Sequence, residues 1–243
     1  MRIVKHIPNT ITSMNLLCGV LGVICTLDGR IDLAFYMMLA AAVCDFCDGL
    51  SARLLHAYSD LGKELDSLAD MVSFGVLPSL MTYRLMSEAY GDSPLCYVPL
   101  LIAVFSALRL AKFNIDERQS DNFIGLATPA CAMICGSFAY YVSNDPTSVL
   151  YGWAATCWFI PTVSVILCYL LISEIPMFSM KFKKNIKSGT PIHKQRIGFA
   201  GVFFVACLLT LLLGLNWSFI VLLTFVSYIV MNIGIAVLFG KKR

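Results

Sequence analysis

The sequence predicts an all-α, polytopic integral membrane bundle of about eight transmembrane helices. Of its 243 residues, 58% are hydrophobic and only 14% are charged, and the mean hydropathy is +0.78. Soluble domains are about a quarter charged, so this composition excludes them. A bilayer core needs roughly 20 apolar residues per helix, and stretches of that length recur between short polar breaks. The predicted spans are 9–28, 31–51, 66–86, 94–113, 124–143, 149–173, 197–214 and 217–239.

The spans differ in what interrupts them. The first follows Pro8 and carries Asn9, Thr12 and Asn15 in its first turns, and no small-x-small cleavage site follows. We therefore interpret it as a retained span rather than as a signal peptide. The second and third spans hold carboxylates, the fourth ends in basic residues, and the fifth contains Pro129. The last two follow the longest polar loop, which is too short for a soluble domain, so the chemistry must lie within the membrane.

The basic residues predict the orientation in the membrane. If the N-terminus is cytoplasmic, 15 of the 18 Lys and Arg residues fall in cytoplasmic segments. This asymmetry predicts a multi-pass protein of the cell membrane with both termini on the cytoplasmic side. The basic loop 181–196 indicates either contact with anionic lipid headgroups or topology alone, and no nucleic-acid partner.

Four carboxylates lie within or at the ends of the second and third spans. They are Asp45, Asp48, Asp66 and Asp70. Each ionised group inside a bilayer is costly unless it is compensated. The members of each pair are three or four residues apart, so each pair projects from one helix face. Two facing pairs form an oxygen cage that suits Mg²⁺ or Mn²⁺, with two ions about 4 Å apart, whereas zinc usually recruits His or Cys.

The four aspartates belong to a longer pattern with fixed spacings. It reads Asp45-x2-Asp48-Gly49-x2-Ala52-Arg53-x8-Gly62-x3-Asp66-x3-Asp70. This pattern resembles the signature of the CDP-alcohol phosphotransferase family at every fixed position. The resemblance implies that the first three aspartates and part of the fourth bind the two metal ions that hold a CDP diphosphate. It also implies that Asp70 is the catalytic base toward the acceptor hydroxyl.

Five residues of this pattern are predicted to contact the CDP-linked lipid. Asp48 is one of these contacts. Gly49 and Ala52 lack bulk on the aspartate face, so a nucleotide can approach the backbone. Helix packing through small residues is the alternative for Gly49 and Ala52. Arg53 can pair with a diphosphate or extend to a lipid headgroup. Gly62 separates the two helices and lets the third span begin close to the ligand, unless it is an ordinary loop glycine.

Further segments resemble the branch of the family that uses CDP-diacylglycerol and L-serine. They are Ile7–Thr12, Ser73–Pro78, Ala107–Asn114 and Phe123–Ala130. In the last of them, Ala127 replaces the usual proline. The resemblance implies transfer of a phosphatidyl group to L-serine with release of CMP, a six-helix catalytic core and a homodimer.

Arg109, Lys112 and Thr128 are the predicted acceptor-binding residues. Arg109 is predicted about one turn inside the membrane, where a serine carboxylate is a natural partner. A structural pair between Arg109 and an aspartate is the alternative. Lys112 at the interface also satisfies the positive-inside rule.

We interpret residues 1–243 as a single membrane-embedded domain, with the signature at 45–70 and two additional spans at 197–239. The same chemistry with glycerol 3-phosphate or inositol phosphate as acceptor, or with an ether-lipid donor, is the nearest alternative. A phosphate-bearing acceptor would need more intramembrane cations than the sequence offers. A cation-coupled transporter also explains intramembrane carboxylates, but no inverted repeat accompanies them.

Overall fold

The computed structural model of the chain describes residues 6–91, 93–116, 123–177 and 191–239, apart from the side chains of 123, 191–197 and 238–239. The basic residues Arg2, Lys5 and Arg118 and the ranges 181–190 and 241–243, which carry much of the predicted charge asymmetry, lie outside these residues. In the described ranges the chain is almost entirely helical.

Ten α-helices, numbered in chain order, form the bundle in the described ranges. They are α1 (His6–Leu27), α2 (Ile31–Leu54), α3 (Asp60–Asp70), α4 (Leu77–Tyr90), α5 (Leu101–Ile115), α6 (Thr128–Asn144), α7 (Val149–Ala154), α8 (Phe159–Ile172), α9 (Pro191–Leu213) and α10 (Ser218–Phe239). A π-helical turn, Met71–Val76, joins α3 to α4, and a 3-10 segment, Pro94–Leu100, precedes α5. Two short strands, β1 (Phe123–Ile124) and β2 (Pro176–Met177), pair antiparallel.

The predicted helical membrane bundle is confirmed. Four helical segments of the described chain are long and apolar enough to cross a membrane, and two shorter ones are also apolar. The four are His6–Leu27, Ile31–Leu54, Pro94–Ile115 and Ser218–Val237, and the two are Phe159–Ile172 and Gly198–Leu213.

Two predicted spans are interrupted. The span predicted at 66–86 contains the π-helical turn, because Pro78 has no N–H to donate to the carbonyl four residues earlier. The span predicted at 149–173 is wrong as a single helix, since α7 ends at Ala154 and α8 begins at Phe159. Pro161 lies in the first turn of α8, where its missing N–H leaves no helical bond unmade.

Helix α1 turns its small and polar side chains inward. Its buried residues are Pro8, Thr12, Asn15, Gly19, Gly22 and Thr26. A Cβ on Gly19 would lie 2.9 Å from the Cα of Ser73, so glycine lets α1 pack directly against the π-helical turn. Because this turn follows Asp70, the contact places the polar face of α1 beside the carboxylates.

An aromatic cluster joins the C-terminal helices to the rest of the bundle. The ring of Trp217, just before α10, lies 5.6 Å from Phe35 and 5.4 Å from Tyr140 between centroids. The hydroxyls of Tyr36 and Tyr140 are 2.9 Å apart. These residues belong to the first turns of α2 and the last turns of α6, so the cluster lies at the end of the bundle opposite the aspartates.

The β1–β2 pair docks the segment before α6 onto the end of α8. Gly125 adopts a φ of +74°, and its N–H donates to the Ile175 carbonyl at 2.9 Å. The N–H of Leu126 donates to the Leu170 carbonyl at 2.9 Å. A Cβ on Gly125 would lie only 2.7 Å from the Ser173 carbonyl oxygen. Glycine is therefore required here for its backbone conformation and for space, and this docking fixes where α6 begins.

Candidate active site

Three of the four predicted metal ligands converge. The carboxylates of Asp45 and Asp48 from α2 and of Asp66 from α3 offer oxygen atoms that all lie within 4.8 Å of one another. Asp48 Oδ2 and Asp66 Oδ1 are buried and accept no hydrogen bond in the described part of the chain. Buried carboxylate oxygens without donors are costly, and a hard divalent cation removes that cost. The donor set therefore fits Mg²⁺ or Mn²⁺.

Asp70 lies beside this set of three rather than within it. Its carboxyl is one turn beyond Asp66, is 8% exposed, and interacts electrostatically with Asp45 and Asp66. The fully buried Asn15 of α1 donates from Nδ2 to Asp70 Oδ1 at 3.2 Å. This hydrogen bond holds one carboxylate oxygen of Asp70 in place, and it connects positions 55 residues apart in the chain.

Helix α1 contributes polar groups that the predicted site residues did not include. Besides Asn15, the side chain of Thr12 lies next to the Asp48 carboxylate. The available signal was the spacing of Thr12 and Asn15, three residues apart on the small and polar face of an otherwise apolar helix. In a membrane helix such a face is the one that turns toward other helices.

The residues predicted to contact the CDP-linked lipid lie around the aspartates on α2 and α3. A Cβ on Gly49 would meet only Arg53 Nη2, at 3.8 Å, so the space above it is open. Arg53 is exposed and donates from Nε to the Gly49 carbonyl at 2.8 Å. Ala52 is half-buried on the same helix. A Cβ on Gly62 would lie 2.9 Å from Asn9 Oδ1, so Gly62 lets the start of α1 approach α3.

Arg109 is buried without a carboxylate partner in the described ranges. It is 7% exposed, and its Nη1 donates to Thr128 Oγ1 at 3.4 Å. Its Cζ lies 5.9 Å from the centroid of the Phe113 ring, and its buried Nε has no hydrogen-bond partner. No Asp or Glu of the described chain lies within the 4.0 Å of an ion pair, although Asp70 is within electrostatic range. The alternative of a structural Arg109–aspartate pair is therefore wrong for these residues.

The structure brings Arg109 and Thr128 together but gives Lys112 a different neighbour. Lys112 Nζ lies 3.9 Å from Glu174 Oε1, and both side chains are largely exposed. Its predicted contact with an acceptor stays a prediction.

Hydrogen bonds at the end of α5 hold the Arg109 helix against the aspartate helix α3. Lys63 Nζ donates to the Asn114 carbonyl at 3.0 Å, and Asn114 Nδ2 donates to Ser67 Oγ at 2.9 Å. These bonds place the helix of the buried guanidinium directly beside the helix that carries Asp66 and Asp70.

Comparison with protein families agrees with this geometry. The family model described as CDP-alcohol phosphatidyltransferase matches residues 5–164, more than half of the chain. The chain belongs to this family. CDP-alcohol phosphatidyltransferases use divalent metal ions, and the converging aspartates offer the ligands for at least one.

Several curated CDP-alcohol phosphatidyltransferases are similar to this chain. It is 36% identical over 191 residues to the CDP-diacylglycerol–serine O-phosphatidyltransferase of Bacillus subtilis, which covers 76% of this chain and 98% of that protein. It is 31% identical over 234 residues to the protein of the same name from Mycobacterium leprae, covering 92% and 73%. It is 33% identical over 137 residues to the archaetidylserine synthase of Methanothermobacter thermautotrophicus, covering 54% and 57%.

The match to the CDP-alcohol phosphatidyltransferase family includes all the predicted site residues. Asp45 to Asp70, Arg109 and Thr128 fall within 5–164, and the match ends inside α8. Helices α9 and α10 lie beyond it.

Proposed function

We propose that this protein transfers the phosphatidyl group of CDP-diacylglycerol to the hydroxyl of L-serine, giving phosphatidylserine and CMP. The observation that carries the choice of acceptor is the buried Arg109 guanidinium, which has no carboxylate partner in the described chain and lies near Asp70. An unpaired cation at this depth is costly, and the carboxylate of an amino acid is the ligand that best compensates it. The names of the similar proteins support serine.

The aspartates serve the donor side of the reaction. Asp45, Asp48, Asp66 and in part Asp70 would hold two Mg²⁺ or Mn²⁺ ions. When bound, such ions neutralise the diphosphate of the donor and the negative charge of the departing CMP. Gly49 and Ala52 leave room for the nucleotide.

Two further residues complete the donor side. The exposed Arg53 offers its guanidinium to the diphosphate. Gly62 lets the start of α1 pack close to α3.

Asp70, Arg109 and Thr128 serve the acceptor side. Arg109, oriented by Thr128, binds the serine carboxylate and directs the serine hydroxyl toward Asp70. Asn15 occupies Asp70 Oδ1, which leaves Oδ2 to accept the hydroxyl proton. The serine oxygen then bonds to the lipid-linked phosphorus of the diphosphate, and the bond from that phosphorus to the oxygen of CMP breaks.

The location of the substrates suggests the cellular arrangement. We propose a single domain over residues 1–243, a homodimer in the cell membrane, with both termini and the site on the cytoplasmic side. There a soluble amino acid meets a membrane-bound CDP-lipid.

CMP release by the purified protein in detergent tests the proposal. With CDP-diacylglycerol and Mn²⁺ or Mg²⁺, we expect stimulation by L-serine and none by glycerol 3-phosphate or inositol phosphate. Asp70→Asn should abolish release, and Arg109→Gln should raise the serine KM. Arg84→Gln is the matched control, because Arg84 pairs with Glu88 far from the aspartates. Stimulation by a phosphate-bearing acceptor instead of serine would refute the assignment of the acceptor.

A further inference from the structure

Two hydrogen bonds that run in opposite directions join the last turn of α5 to α3. Lys63 Nζ of α3 donates to the main-chain carbonyl of Asn114 at 3.0 Å, and Asn114 Nδ2 of α5 donates to Ser67 Oγ at 2.9 Å. The Ser67 hydroxyl in turn donates to the Lys63 carbonyl at 3.3 Å. These three residues therefore close a ring of hydrogen bonds, which we call the α3–α5 lock.

Each bond of the α3–α5 lock satisfies a group that its own helix leaves open. Helix α5 ends at Ile115, so the Asn114 carbonyl belongs to its last turn, where carbonyls have no N–H partner within the helix. An ammonium group at this end also interacts favourably with the helix dipole. The Asn114 and Ser67 side chains are both half-buried. The lock therefore favours one rotation of α3 against α5.

The side of α3 that the lock holds also carries Asp70. Lys63, Ser67 and Asp70 follow one another at spacings of four and three residues, which places them along one side of a helix. Helix α3 otherwise packs mainly on α1, from which Asn15 bonds to Asp70. Helix α5 carries Arg109 five residues before Asn114. The lock thus ties the side of α3 with the proposed base to the helix of the proposed acceptor contact.

We propose that Asn114 is a positioning residue: through Ser67 it directs Asp70 toward the hydroxyl of an acceptor bound at Arg109. The inference rests on the proposed function, and it adds a residue that acts on the proton transfer through another helix. Without the lock, α3 can turn slightly while it stays packed on α1. Both substrates would then still bind, but the base and the hydroxyl would lose their alignment.

The variant Asn114→Ala removes the bond to Ser67 and keeps the main-chain carbonyl that Lys63 contacts. A misplacement of about 1 Å can cost about a hundredfold in rate, so we expect kcat for serine-dependent CMP release to fall about tenfold or more. The KM for L-serine, the KM for CDP-diacylglycerol and the thermal unfolding temperature in detergent should stay within error, because the lost alignment matters only in the transition state. Asn144→Ala is the matched control, since Asn144 Nδ2 donates to the Tyr140 carbonyl in the last turn of α6, at the other end of the bundle.

Variants of Ser67 test the same bond from α3. Ser67→Ala should lower kcat as Asn114→Ala does, and the double variant should lose no more than either single variant, because all three lack one shared hydrogen bond. Ser67→Thr keeps a hydroxyl at this position and should retain most of the wild-type kcat. A role in packing alone would not give this rescue.

The outcomes separate the role of Asn114 from the proposed function. If the wild-type protein responds to serine and Asn114→Ala keeps its kcat, the role of Asn114 is overturned and the proposed function stands. Additive losses in the double variant overturn it as well, because the two residues would then act independently. Higher KM values together with a lower unfolding temperature describe a packing role and also overturn it. A wild-type protein that does not respond to serine overturns the proposed function first and this inference with it.

Discussion

Replacing Gly125 by alanine tests whether the β1–β2 docking positions the acceptor side of the site. The new Cβ would lie 2.7 Å from the Ser173 carbonyl oxygen, 2.9 Å from that of Leu171 and 3.2 Å from that of Leu170. These are backbone atoms at the end of α8, so they cannot move aside as a flexible side chain would. The φ of +74° adds a conformational cost for any residue with a Cβ.

The magnitude follows from these two effects. A left-handed backbone costs an L-residue about 1–2 kcal/mol, and overpacking costs about 1–3 kcal/mol, so the sum is about 2–5 kcal/mol. On the scale of domains of 150–250 residues this lowers the unfolding temperature by about 4–20 °C. Since Gly125 precedes Thr128 by less than one turn, we also expect a higher KM for L-serine.

Gly214→Ala is the matched control. Gly214 has a φ of +61°, but a Cβ there would meet nothing within 4 Å. It therefore carries only the conformational cost of about 1–2 kcal/mol and should leave the serine KM unchanged. The measurements are thermal unfolding in detergent followed by tryptophan fluorescence, and serine-dependent CMP release. Equal losses of stability in the two variants, or an unchanged serine KM in Gly125→Ala, would refute the reasoning.

Three further predictions concern the site. Asn15→Ala should lower kcat for CMP release about tenfold or more, because Asp70 loses the hydrogen bond that Asn15 Nδ2 donates to it. Thr26→Ala, on the same face of α1, should leave kcat unchanged, and equal kcat values for the two variants would contradict the role of Asn15. Chelation of divalent ions should abolish CMP release, and Mg²⁺ or Mn²⁺ should restore it; activity that survives complete chelation would exclude a metal role for the aspartates. Ala127→Pro should keep full activity and an equal or higher unfolding temperature, because Ala127 at the N-cap of α6 already has the φ of −65° that proline requires. A large loss of stability would contradict this expectation.

The sequence predicted those features of the fold and the site that depend on residues close together along one helix. The helical bundle follows from apolar stretches of membrane length, and the convergence of Asp45, Asp48 and Asp66 follows from pairs spaced along helix faces. The loosened turn after Asp70 was also foreseeable from Gly75 and Pro78. In each case the controlling interaction is local.

Interactions between distant segments could not be predicted in the same way. Asn15 meets Asp70 and Lys112 meets Glu174 only because the bundle brings distant parts of the chain together. Hydropathy also does not resolve a short break inside a long apolar stretch, so α7 and α8 were predicted as one span, 149–173.

The π-helical turn at Met71–Val76 divides one long helix into two angular registers. Before the turn, the helix directs Asp66 and Asp70 toward α1 and α2. After the turn, α4 faces α6. Each residue of an α-helix advances about 100°, so deleting one residue from this turn would restore regular winding and rotate the carboxylates away from their neighbours. The altered chain would keep its hydropathy and still form a membrane helix. The site thus depends on the number of residues in this turn, a property that composition and hydrophobicity do not reveal.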